Sequence, residues 1–163
     1  MERAERNAMS HPHPGELLPD VTLATATGQP VRISDYRGRR ALILFFLGES
    51  HDAALLELLR ALADRYAEIR QEEAEVLVIA PDARTAAEAI ARAPRALPSL
   101  FPVLVDETGR AHRAYGVATS GALYIADRYG EIYFARVIPE GGEPPSVEHI
   151  LSWVRFTEAQ CPE

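Results

Sequence analysis

Lysine is absent from the chain, so all 17 basic residues are arginine. That excludes a lysine Schiff base and any phosphate loop built on a lysine. Cysteine is almost absent: Cys161, next to the closing Pro162-Glu163, is the single one. One thiol makes neither an intramolecular disulfide nor a cysteine-based metal cluster. Basic clusters are missing too, and 24 acidic residues give a net charge of -7. Nucleic acid and anionic membrane surfaces both need a positive footprint, so neither is expected as a partner. No run is apolar and long enough to span a bilayer. Met1 to Leu18 carries charges, His11, His13, Pro12 and Pro14 but no apolar stretch, so it does not read as a signal peptide. A cytoplasmic setting is the default expectation.

What is present fits one folded unit of 163 residues, with 47% apolar and 25% charged residues. Residues 1–14 read as a flexible polar tail, 15–157 as the domain and 158–163 as a C-terminal tail. Val21-Thr22-Leu23 and Pro30-Val31-Arg32-Ile33 flank a Thr27-Gly28-Gln29 turn and predict a hairpin. Ala41 to Leu47 is a continuous apolar run of strand length, as expected for a central strand covered on both faces. From His51 to about Gln71, Leu55, Leu56, Leu58, Leu59, Leu62 and Tyr66 recur at helical spacing, with Ser50 as N-cap. Glu75–Ala80 predicts a second buried strand, and Ala83–Ala93 a helix stopped by Pro94 and Pro98. Val103–Val105, a short helix from Arg110 to Tyr115, a hairpin of Ala122–Ala126 with Glu131–Val137, and a final helix capped by Ser146 complete the order. Parallel strands joined by helices, then a hairpin and a last helix, describe a sheet with helices on both faces.

Several pieces in this order carry a resemblance. They are Gly15 to Leu23 with Gly28 to Gly38, then Asp106-Glu107-Thr108-Gly109 before Tyr115-Gly116-Val117, then Tyr124 to Asp127 with Gly130 and Ile132. Together they resemble the AhpC/TSA (peroxiredoxin-like and TlpA-like) branch of the thioredoxin superfamily from about Gly15 to Phe156. The resemblance implies an α/β thioredoxin-like fold: a central mixed β-sheet flanked by helices, with an N-terminal β-hairpin extension. It also implies a redox site where the first core strand enters the following helix. There the helix dipole and unpaired amides lower a thiol's pKa and make it nucleophilic. In this sequence the segment is Gly48-Glu49-Ser50-His51-Asp52-Ala53-Ala54. Laid on a Cys-x-x-Cys pattern, His51 and Ala54 take the cysteine positions, and the peroxiredoxin pattern also falls on a residue without sulfur. The family's cis-proline, or its peroxide-polarising arginine, maps near Gly121, and neither group stands there.

Glu49, Ser50, His51, Asp52 and Ala54 therefore form a vestigial site, with Ser50, His51, Ser120 and Gly121 as ligand-binding candidates. His51 at a helix start would be held neutral, able to act as a base or metal ligand, while Asp52 suits the dipole and Glu49 is a loop carboxylate. His11 and His13 form a second, weaker metal signal that needs Glu16 or another chain. Gly121, lacking a Cβ, offers close approach to a ligand or another chain. His112 and His149, in helical segments without partners in view, read as surface or boundary residues. Tyr115, Tyr124, Tyr133 and Phe134 read as packing residues. Cys161 is a tail thiol whose sharper readings are a mixed disulfide or a peroxidatic thiol reaching the old pocket.

No cofactor is expected. The leading expectation is a redox-inactive module that binds a protein or small molecule at the vestigial site, with a homodimer as one form of partnership. The alternative is an antioxidant oxidoreductase, a peroxidase or thiol reductase, acting through Cys161 or a His51-centred site.

Overall fold

A computed structural model describes residues 11–48, 53–117, 121–139 and 141–160. The vestigial-site residues Glu49, Ser50, His51 and Asp52, together with Ser120 and Cys161, lie outside them. The strands are β1 (Thr22–Thr25), β2 (Pro30–Arg32), β3 (Ala41–Phe46), β4 (Ala74–Ala80), β5 (Val103–Val105), β6 (Gly121–Ala126) and β7 (Ile132–Ile138). The α-helices are α1 (Ala53–Asp64), α2 (Tyr66–Gln71), α3 (Ala83–Arg92), α4 (Arg110–Ala114) and α5 (Val147–Gln160), and a 3-10 turn spans Ile33–Tyr36.

The strands form one seven-stranded mixed sheet in the order β2-β1-β5-β4-β3-β6-β7. β3, β4 and β5 run parallel, while β6 pairs antiparallel with both β3 and β7. The expected entry hairpin is β1-β2, and it extends the sheet by pairing β1 antiparallel to β5.

Every residue of β3 is buried, which explains why its sequence is apolar throughout rather than alternating. Its side chains divide by parity. Ile43 and Phe45 join Leu55, Leu59 and Leu62 of α1 and Ile150, Leu151 and Val154 of α5. Leu42, Leu44 and Phe46 join Ile33, Ala111, Tyr115 and Tyr124 on the opposite face. Helices α1, α2, α3 and α5 thus cover one face, and α4 with the 3-10 turn covers the other. The four tyrosine and phenylalanine positions read as packing residues behave so at Tyr115 and Tyr124: both are fully buried, and their hydroxyls donate to Pro19 O (2.6 Å) and Tyr115 O (3.1 Å). Burial pushes both phenols well above the ordinary tyrosine range.

Three boundaries differ from expectation. The leucine-rich helix is two helices, since Arg65 leaves helical geometry (φ -108, ψ 22) and its N–H reaches back to Leu62 O. The final helix continues through Glu158 to Gln160, with Arg128 3.5 Å from the Glu158 carboxylate. At the other end packing begins before Gly15: Pro12 is buried, and Gly15 N donates to Ile132 O. Among the described residues, no helix is long and apolar enough to cross a membrane.

Candidate functional site

The C-terminal edge of the parallel strands is where an open α/β sheet leaves its loops and helix starts free to meet ligands. β3 ends there at Phe46. Leu47 N still donates to Ile79 O (2.8 Å), Leu47 and Gly48 are both buried, and α1 begins at Ala53. Of the vestigial-site residues, Ala54 and Gly121 lie among those described. Ala54 is exposed and lines an open cleft of about 460 Å³ between Ala53, Glu57, Leu58 and Ala61 of α1 and the Glu143–Val147 approach to α5. Gly121, by contrast, is buried. A Cβ there would stand 2.7 Å from Leu55 Cδ1 and 3.1 Å from Phe46 O. The close approach that glycine permits is therefore made by the chain's own helix and strand.

The sequence reading missed what lies beneath this edge. His112, expected at the surface or its boundary, is 6% exposed. Its Nδ1 lies 2.7 Å from Asp106 Oδ2 and its Nε2 3.3 Å from Leu47 O, while its ring packs edge-on against Phe46. The local chain explains the placement. Asp106 ends β5, Gly109 takes the left-handed conformation (φ 76) that turns the chain into α4, and Ala111, His112 and Tyr115 form that short helix's buried side. Asp106 closes the turn by accepting from Ala111 N (3.1 Å) and His112 N (2.8 Å) as well as from the ring. Burial alone would raise this carboxyl, but the bonds from His112 and Ala111 outweigh it and hold Asp106 below the usual carboxylate range. The one sequence signal was Asp106-Glu107-Thr108-Gly109 set before a buried helical pair, with a histidine beside it.

The remaining histidines fall differently. His11 and His13 place their rings 5.4 Å apart, but the Glu16 carboxylate that would complete a metal site accepts from His13 N (2.7 Å). Among the described residues no group of three His, Cys, Asp or Glu side chains is arranged to hold a metal ion. His149 is exposed as expected, and its Nε2 accepts from the Trp153 indole (3.2 Å).

The fold is shared with solved structures. A 2-Cys peroxiredoxin from Plasmodium vivax superposes with a TM-score of 0.74 at 16% identity, covering 93% of this chain and 88% of its own. AhpC from Mycobacterium tuberculosis gives 0.76 at 15% identity, covering 93% and 96%. A candidate thiol:disulfide interchange protein DsbE from Chlorobium tepidum gives 0.70 at 24% identity, covering 90% and 97%. At such identities the likeness concerns the fold. No curated protein matches by sequence. The AhpC/TSA family model matches residues 14–135, which is most of the chain and includes β1 to β6, the β3 exit and the Asp106–His112 turn. On that match and that fold, the chain belongs to the AhpC/TSA family, and it does so with Cys161 as its only cysteine.

Proposed function

We propose that this chain is a redox-inactive member of its family that acts by binding a protein partner or a small molecule at the vestigial site at the head of α1. The observation that carries the reading is the sulfur-free exit of β3: from Gly48 to Ala54 no cysteine occurs, in a family whose chemistry needs a thiolate there. The cleft beside Ala54 supports a binding role, because its walls are Ala53, Ala54, Ala61, Leu58 and Val147 with Glu57, Glu143 and Ser146 among them. A second copy of the chain is one partner of this kind.

Cys161 is the one thiol in the sequence that could substitute for the missing one. It follows Gln160, the end of α5 remote from the cleft, whereas Val147 at the other end lines it. The two ends of α5, Val147 and Gln160, are about 20 Å apart. The purified protein is expected to reduce neither insulin disulfides nor hydrogen peroxide. Turnover that persists in Cys161→Ser after metal chelation would overturn the proposal in favour of a His51-centred enzyme. Turnover abolished by Cys161→Ser would favour a one-cysteine peroxidase working between subunits.

A further inference from the structure

Two acceptors face the two nitrogens of one buried imidazole. Asp106 lies on Nδ1 and the Leu47 carbonyl on Nε2. A neutral imidazole carries one N–H, so either tautomer leaves a ring lone pair pointing at an oxygen. Only the doubly protonated ring satisfies both.

We propose that His112 is a proton-operated latch on the exit of β3: protonated, it ties the Leu47 carbonyl to the Asp106 carboxylate, and on losing its proton it releases Leu47. The three groups belong to separate parts of the chain, namely the end of β3, the turn after β5, and α4. Closing the latch therefore fixes the β3 exit to the far side of the sheet edge. The proton lost is the one on Nε2, because Asp106 is the stronger acceptor. A charged carboxylate accepts more strongly than a neutral carbonyl, and the contact at Nδ1 is the shorter, 2.7 Å against 3.3 Å.

Among the described residues the pair has the following neighbours. From β3 the ring meets Phe46, which carries no charge. On α4, Arg110 and Arg113 are exposed, and Arg113 Nη1 donates to Thr108 O (3.0 Å). The Tyr115 hydroxyl donates to Pro19 O. Among the described residues the charged group bonded to the ring is Asp106. The latch is built from the chain alone, so it operates whether or not anything binds at the head of α1.

The test is an NMR titration of the full chain between about pH 5 and about pH 9, following the His112 ring nitrogens and the Leu47 carbonyl carbon together. The two are expected to titrate as one, with Nε2 changing from protonated to unprotonated. Hydrogen-exchange protection of the Leu47 and Gly48 amides, corrected for intrinsic rates, should fall about tenfold over the same step. A ring that keeps one protonation state throughout, or that titrates without a response at Leu47, overturns the latch. In folded His112→Gln the protection should be flat with pH. A pH response unchanged from the parent overturns the assignment, and if that variant does not fold, the titration of the parent decides.

Discussion

Gly121 is the residue at which β6, β3 and α1 come closest. A methyl group there would press on Leu55 Cδ1, a flexible tip that can turn aside, and on Phe46 O, which cannot. Gly121→Ala is therefore expected to cost about 1 kcal/mol and Gly121→Val about 2–3 kcal/mol, because overpacked side chains push the backbone apart. Urea denaturation of the two variants measures it, and equal stability of all three proteins would contradict the packing. Sequence placed Gly121 near the site and recognised its missing Cβ, but not what fills the space. The filler, Leu55, lies on a different element. His112 was illegible for the same reason: its partner Leu47 is 65 residues away, and helical spacing reports only neighbours along one turn. What spacing could suggest was the Asp106 turn, since a carboxylate just before a short helix accepts its first free amides.

Elements were legible where a local rule sets their limits. Asp82 caps α3 by accepting from Thr85 N (2.7 Å), and Ser146 Oγ accepts from His149 N (3.1 Å) at the start of α5. The bonds from Thr85 also hold the Asp82 carboxyl below its usual range. Replacing Asp82 by Ala should cost about 1 kcal/mol, with Ser at the same position recovering most of it, since both oxygens serve the same amide. Thermal unfolding of the pair would show it, and an unchanged midpoint in the Ala variant would remove the cap from the account. The break at Arg65 had no such signal. The apolar positions Leu62, Tyr66 and Ile69 continue in helical phase across it, and neither Gly nor Pro marks it. The break goes with distant partners. The Arg65 guanidinium reaches Glu68 of α2 and Glu148 of α5, and Arg155 of α5 closes on Glu68 (3.0 Å) and Glu72 (3.6 Å). Such exposed ion pairs set direction more than stability.

For the molecule as a whole, one sheet carries two apolar layers whose members alternate along the same strands. Phe45 belongs to one layer and its chain neighbours Leu44 and Phe46 to the other, so neither layer can be lost while β3 keeps its place. No disulfide within the chain can add a second cooperative unit, because there is a single cysteine. Unfolding should therefore be one transition seen alike by every probe. The chain offers a clean pair of probes. Trp153, the only tryptophan, packs against Phe134 and Phe156 and reports the α5 side, whereas far-ultraviolet dichroism reports all the helices and strands together. In urea the two curves are expected to coincide, with a midpoint that is the same with and without reductant at low protein concentration. If Trp153 fluorescence changed first, α5 would be separable from the sheet and the shared-strand account of cooperativity would be wrong. A midpoint that rose only without reductant and with increasing protein concentration would instead trace stability to a bond between copies through Cys161.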